Sequence, residues 1–149
     1  MKIILKNKKL RMNFEVIERM EAGISLTGTE VKSLREGRVN FKDSYCKIKD
    51  GEVFLIGMHI SQYSYGGYYN HDPERPRKLL LHKKEIFRLK SKISEKGYAL
   101  IPSMLYFNDR GKVKIELALC KGKNKADRRE TLKRRDVERE IRSRLKNRI

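Results

Sequence analysis

Cysteine, histidine and acid are all scarce in this 149-residue chain, and each shortage excludes something. Cys46 and Cys120 lie far apart, with no Cys-x-x-Cys and no histidine at zinc-ligand spacing. That excludes a disulfide framework and a zinc finger. Both sit among strand-forming neighbours and read as small buried hydrophobes, which suits a reducing cytoplasm. His59 falls in a strand, His71 in a loop and His82 at a helix start, so none belongs to a nucleophile or metal pattern. No apolar run approaches the roughly 20 residues that cross a membrane. The stretch Met1-Lys-Ile-Ile-Leu-Lys6 is too weakly apolar for a signal peptide, so a cytoplasmic protein is expected. There is no internal repeat.

The shortage of acid is the most consequential. Thirty-seven Lys and Arg face 19 Asp and Glu, a formal net charge of +18. Ion pairing needs near-equal numbers of both signs, so the excess has a use only beside a polyanion. Nucleic acid leads, because each neutralised phosphate releases condensed counterion. An anionic membrane surface is the competing partner.

What is present is one domain's worth of short strands. The body runs from Phe14 to Leu119 between two basic arms, the first carrying Lys2, Lys6, Lys8, Lys9 and Arg11. Phe14–Arg19 and Gly23–Thr27 read as strand segments around a glycine bend. Thr29–Glu36 reads as a helix stopped by Gly37, with Val31 and Leu34 on one face. Asp43–Lys49 and Glu52–Ile60 alternate around Asp50-Gly51, a strong hairpin signal. A long loop rich in Tyr, Gly and Pro covers Ser61–Arg77, and Lys78–Leu81 leads into a helix over His82–Ser94 with Ile86, Leu89 and Ile93 at helical spacing. Gly97–Pro102 with Leu105–Phe107, then Lys112–Leu119, form a last hairpin across Asn108–Gly111. The pattern predicts a mainly β fold: a small closed antiparallel barrel, two or three short flanking helices and a basic C-terminal tail. The domain division expected is 1–122 for the barrel and 123–149 for the tail.

In that tail basic residues far outnumber acids, and Leu132, Val137, Ile141, Leu145 and Ile149 form one narrow apolar line. One such line anchors a helix poorly, and isolated helices of this length are marginal in water. The expectation is a tail disordered when free and helical when docked on a polyanion.

Candidate sites are weighed residue by residue. Asp43, Asp50 and Glu52 suggest a Mg²⁺ nuclease site, but two of them lie in or beside a hairpin turn, where acids are ordinary. Tyr63, Tyr65, Tyr68 and Tyr69 suit either base stacking or, for the first two, the end of a strand. Asn7, Lys8 and Lys9 precede the first strand, at a barrel rim or a frayed end. Lys112 and Lys114 project from one face of the last strand, and Lys121 and Lys123 continue a positive strip; a backbone track and a solvated strand face both fit.

Two long irregular strings narrow the choice: Met20-Glu-Ala-Gly-Ile-Ser-Leu-Thr-Gly-Thr-Glu-Val-Lys-Ser-Leu-Arg35 and Asn70-His-Asp-Pro-Glu-Arg-Pro-Arg-Lys-Leu-Leu-Leu-His-Lys-Lys-Glu-Ile86. Together they closely resemble the SmpB family, small proteins that work with transfer-messenger RNA to rescue stalled bacterial ribosomes. The resemblance extends from Asn7 to Arg135. It implies an OB-like barrel whose RNA-facing surface includes Asn7, Glu21 and Leu80 and the region of Lys112 and Lys114. An acid beside phosphates is costly, so Glu21 is expected to read base N–H groups or a ribose 2′-hydroxyl. The junction Gly122–Glu130 resembles the family's Gly-Lys-Lys-x-Tyr/His-Asp-Lys-Arg: Asp127 and Arg129 match, Arg128 replaces Lys, and Ala126 stands where an aromatic or His is usual. That places in doubt a stacking contact to small-subunit rRNA.

The reading is an RNA-binding adaptor of trans-translation, a monomer without catalytic residues, metal or cofactor. Its partners are the tRNA-like domain of transfer-messenger RNA and the ribosome's decoding centre and mRNA channel, with no membrane. The tail, through Asp127, Arg128, Arg129, Lys133, Arg134, Arg135, Ile141 and Leu145, is expected to probe the empty mRNA channel. A ribosomal or assembly protein is the alternative, and a metal-dependent nuclease the third.

Overall fold

A computed structural model of the chain describes residues 1–123 and, beyond them, Arg134, Arg135, Val137, Arg139 and Ile141, which are helical. The strands are β1 (Lys2–Lys6), β2 (Phe14–Ile24), β3 (Val39–Asn40), β4 (Tyr45–Lys49), β5 (Glu52–Ile56), β6 (His59–Ile60), β7 (Arg77–Leu80), β8 (Ala99–Phe107) and β9 (Val113–Gly122). The helices are α1 (Leu10–Asn13), α2 (Gly28–Arg35) and α3 (Lys83–Lys96). Seven strands form one antiparallel sheet in the order β1-β8-β9-β2-β7-β5-β4, and β3 pairs with β6 in a second, two-stranded sheet.

The local chemistry explains the elements. Asp50 and Gly51 both take positive φ, 52° and 73°, as a two-residue turn between twisted strands demands. Thr27 caps α2: its backbone N–H donates to Glu30 Oε1 at 2.9 Å, while its hydroxyl oxygen accepts from the Glu30 N–H. Gly97, at φ 66°, ends α3 and donates its N–H to the Ile93 carbonyl. The inner face of the curled sheet packs Val53, Leu55, Leu79 and Leu117 into the main core with Leu34 of α2 and Leu89 of α3. Cys46 and Cys120 are both buried free thiols, and burial pushes the Cys120 pKa up to about 11.

Four expectations need correction. The sheet is not closed: β1 and β4 are its edges, and no ladder joins them. β4 lies against β8, but β1 occupies the Met104–Phe107 end of β8. Asn7 takes the Pro102 and Ser103 carbonyls, and Pro102 has no N–H to offer a new neighbour. The first basic segment is not an arm, because its Lys2–Lys6 part is the edge strand β1. Leu10 of α1 is 4 % exposed and joins Ile101, Ala118 and Cys120 in a second small core on the outer face. β2 does not bend at Gly23; it runs straight through, and its irregularity is a bulge between Val16 and Glu18. β8 likewise continues past Pro102 by a bulge before Met104.

The long loop before β7 is fastened at its end by buried charge. Arg77 and Glu30 are both fully buried, with Arg77 Nε 2.6 Å from Glu30 Oε2. Arg75 Nη2 reaches Glu30 Oε1 at 2.5 Å, and Arg77 also donates to the Met58 and Pro73 carbonyls. Each of the three Arg77 guanidinium nitrogens and both Glu30 carboxylate oxygens has a partner, the condition under which a buried pair is tolerable.

Candidate nucleic-acid interface

β2, β9 and β8 lie side by side, and residues directly opposite on antiparallel neighbours share a face. Glu21 faces Glu116, which faces Met104; Gly23 faces Lys114, which faces Tyr106. Gly23 also faces Leu80 on β7. Because Ala22 and Ile24 point into the core, this set is the outer surface of the sheet.

At its centre the Tyr106 hydroxyl donates to Glu21 Oε2. Tyr106 is 6 % exposed while Glu21 is exposed, so a buried phenol holds an open carboxylate in place. Burial, and then the hydrogen bond to Glu21 and that group's charge, push the Tyr106 pKa far up, so it stays a donor at every physiological pH. A carboxylate is acceptor-only with several lone-pair sites, and one hydroxyl leaves the others for an incoming donor.

Leu80 is 55 % exposed, which removes the core reading that its apolar character suggests and leaves the surface reading. Gly23 makes this arrangement possible, since a Cβ there would come within 3.2 Å of Leu80 Cβ. The glycine is needed for close approach rather than for a turn. Glu21, Gly23, Lys78, Leu80, His82 and Lys114 line an open groove of about 570 Å³. Lys78 pairs with Glu52 at 2.9 Å there, so the groove is mixed in charge rather than a plain cationic track.

The surface continues toward the N-terminus. Glu116 accepts from the Ser103 hydroxyl at 2.7 Å and from Arg19 at 3.3 Å. With Lys6, Asn7, Lys8 and Arg11, these residues line an adjoining hollow of about 480 Å³. Asn7 is firmly seated: its Nδ2 donates to Pro102 O and its N–H to Ser103 O, each at 2.8 Å. The frayed-end alternative for Asn7 therefore does not hold.

Other candidates are not brought together. Lys9 stays beside Asn7 and Lys8 but lines the hollow they share with Lys42 and Asp43, not the one that reaches Glu116. Lys112 lies in the turn before β9, its N–H bound to Asn108 Oδ1, rather than in the strand. Lys114 and Lys121 are an odd number of residues apart on β9, so alternation sends them to opposite faces. Lys121 faces Glu15 across the ladder, and Lys123 Nζ donates to Arg11 O at 2.6 Å, strapping the sheet to α1. The expected positive strip is thus two separate patches. Asp127, Arg128, Arg129, Lys133 and Leu145 lie outside the described residues; Arg134 is exposed and Ile141 is 52 % exposed.

Asp43, Asp50 and Glu52 do not converge, and no group of three metal-ligating side chains exists among the described residues. No helix among them is long and apolar enough to cross a membrane. Sequence reasoning missed Tyr106 and the Glu30–Arg77 pair. Counting back from the Asn108–Gly111 turn sets Tyr106 opposite Lys114, so the register held that signal; Thr27-x-x-Glu30 has capping-box spacing, but nothing in the pattern marked its pairing with Arg77.

Fold and surface together define a small β protein whose sheet presents an open outer groove of mixed charge. This chain belongs to the SmpB family, whose model, SmpB protein, matches residues 4–147. An SsrA-binding protein of Thermosipho melanesiensis is 58% identical over 146 residues, spanning 98% of this chain and 99% of its own. One of Treponema denticola is 53% identical over 145 residues, spanning 97% and 94%. A chain in a solved structure described as "tmRNA-SmpB: a journey to the center of the bacterial ribosome" is 46% identical, with TM-score 0.68. That match covers 86% of this chain and 93% of the other.

Proposed function

We propose that this protein is an RNA-binding adaptor, not an enzyme, that holds the tRNA-like domain of transfer-messenger RNA and delivers it to stalled ribosomes. The observation that carries this reading is the continuous outer face from Asn7 through Ser103, Glu116, Glu21 and Tyr106 to Lys114 and Leu80. Nonspecific binding of a polyanion would be served by lysines alone. An exposed carboxylate oriented by a buried phenol is suited to reading N–H or 2′-hydroxyl donors, which phosphate-seeking groups do not read. The relatives' name, SsrA-binding protein, and the ribosomal neighbour support the same partners. The curled sheet with β4 set against β8 supports an OB-like barrel left open along that seam.

Residues 1–122 then act as the RNA-binding unit and 123–149 as a ribosome probe that folds as a helix in a vacant mRNA channel. An occupied channel excludes it sterically and by competition for the same rRNA surface. Truncation after Lys125, or proline at Ile141 and Leu145, tests this in one experiment. Peptide tagging on ribosomes stalled at a message's 3′ end is expected to collapse while binding of the tRNA-like domain persists. A proline in a helix interior costs about 3 kcal/mol and leaves the charge intact. Normal tagging by the proline variant would reduce the tail to a loose cationic tether.

A further inference from the structure

The loop between β6 and β7 displays aromatic rings that the groove above does not use. Tyr65, Tyr68 and Tyr69 are 86%, 102% and 93% exposed, and none lines the groove of Glu21, Leu80 and Lys114. A flexible loop exposes side chains by default, but this one is braced. Asn70 clasps Tyr63 on both sides, donating from Nδ2 to its carbonyl at 2.7 Å and accepting its N–H at 3.0 Å on Oδ1. Gly66 sits directly under that clasp, where an added Cβ would meet Asn70 at 2.7 Å. His71 is buried, with Nε2 on the Ile60 carbonyl and Nδ1 on the Thr29 hydroxyl, both at 2.9 Å. The Glu30–Arg77 pair fixes the loop's far end.

Cations accompany the rings. Lys32 Nζ lies 5.3 Å from the centre of the Tyr63 ring, which meets Tyr65 edge to face at 5.6 Å. Arg38 donates to the Gln62 carbonyl and to the Ser64 hydroxyl. Of the acids on the loop, Glu74 is paired with Lys42 and Asp72 caps the Glu74 N–H. Rings beside cations on a chain of charge +18 match one ligand chemistry: unpaired nucleotides, whose bases stack on aromatic faces and whose phosphates take the cations.

We propose that Tyr65, Tyr68 and Tyr69, with Lys32 and Arg38, form a second RNA site that stacks unpaired bases independently of sequence. It rests on the RNA-binding reading and adds a contact to single-stranded RNA, apart from the sheet face. The chain has no tryptophan and four of its seven tyrosines lie in this loop, so tyrosine emission is weighted toward the proposed site.

The test uses the full chain and a short unstructured oligoribonucleotide, followed by tyrosine quenching, with the isolated tRNA-like domain as a second ligand. Replacing Tyr68 and Tyr69 together by Leu is expected to weaken oligoribonucleotide binding by roughly 10-fold or more. Replacing both by Phe, which keeps the π faces, restores it to within about two-fold. Both variants should bind the tRNA-like domain normally, while Glu21→Gln shows the reverse pattern. Unchanged oligoribonucleotide affinity in the Leu variant overturns the proposal. So does equal loss in the Leu and Phe variants, which would mean the hydroxyls matter rather than stacking. Loss of a ribosomal-protein crosslink without loss of RNA affinity would assign the loop to a protein partner instead. Failure of the unaltered chain to bind the tRNA-like domain would sink the adaptor reading alone, since quenching by the oligoribonucleotide is read separately.

Discussion

Two acids close in sequence, Glu21 and Glu30, meet opposite fates. Glu30 is fully buried, gripped by the Thr27 N–H and by the guanidinium groups of Arg75 and Arg77. Glu21 is exposed and receives one hydrogen bond, from a neutral phenol. The first charge is spent inside the protein, where it fastens α2 to the loop ahead of β7. The second is oriented but not neutralised, so it still faces whatever docks on the sheet. An acid's role in this basic chain follows from what surrounds it, and under the proposed function the two sites separate stability from recognition.

The largest expected effect breaks the buried side of that comparison. Glu30→Ala leaves two guanidinium groups without their counter-charge, and removing one partner of a buried pair costs about 3–5 kcal/mol. Denaturant unfolding should register it, while RNA affinity survives at temperatures where the variant is folded.

Acid probes the same pair more gently. Burial raises the Glu30 pKa, but the Thr27 N–H, Arg75 and Arg77 outweigh it and hold the carboxyl below its ordinary value of 4.5. A group whose pKa is lowered on folding contributes its full stability above the ordinary value and loses it as pH falls through the lowered one. Stability should therefore fall below about pH 4.5, and Glu30→Gln, already weakened, should show less of that fall. An identical acid profile in both proteins would remove Glu30 from this role.

Gly23→Ala sharpens the recognition side. A Cβ at 3.2 Å from Leu80 Cβ pushes that exposed side chain aside by a few tenths of an ångström and fills the space beside it. Removing a strand glycine otherwise stabilises by roughly 0.5–1 kcal/mol, so the melting temperature should hold while RNA affinity drops several-fold. The smallest effect belongs to Lys114→Ala: a lost phosphate contact lowers the log–log salt slope by about 0.7–0.9. Lys123→Ala should instead perturb packing against α1, because its ammonium is bound to the Arg11 carbonyl.

What was legible in the sequence follows the same physical division. Asp50-Gly51, the Ile86–Leu89–Ile93 spacing and the helix ending at Gly37 are local signals, and all were readable. β1 was not, because Ile3–Leu5 becomes a strand only by pairing with Tyr106 and Leu105, about a hundred residues away. The bulges in β2 and β8 were hidden too, since Gly23 and Pro102 look like breaks until the ladder is seen to continue through them. The closed barrel failed at a seam between β4 and β8 that no local pattern encodes. For the site, Glu21 and Leu80 came from the resemblance of two strings. Tyr106, which orients Glu21, came only from strand register.

The most direct test of the account compares Glu21→Gln and Tyr106→Phe for binding to the tRNA-like domain and to a generic RNA duplex at one salt concentration. Hydrogen bonds to charged groups are worth about 1.5–3 kcal/mol. Glu21→Gln is therefore expected to lose roughly 10-fold or more on the tRNA-like domain and nothing on the duplex. Tyr106→Phe should follow in the same direction with a smaller loss, because the carboxylate stays but is no longer held. Equal losses on both RNAs, or none on either, would contradict the claim that this carboxylate reads RNA.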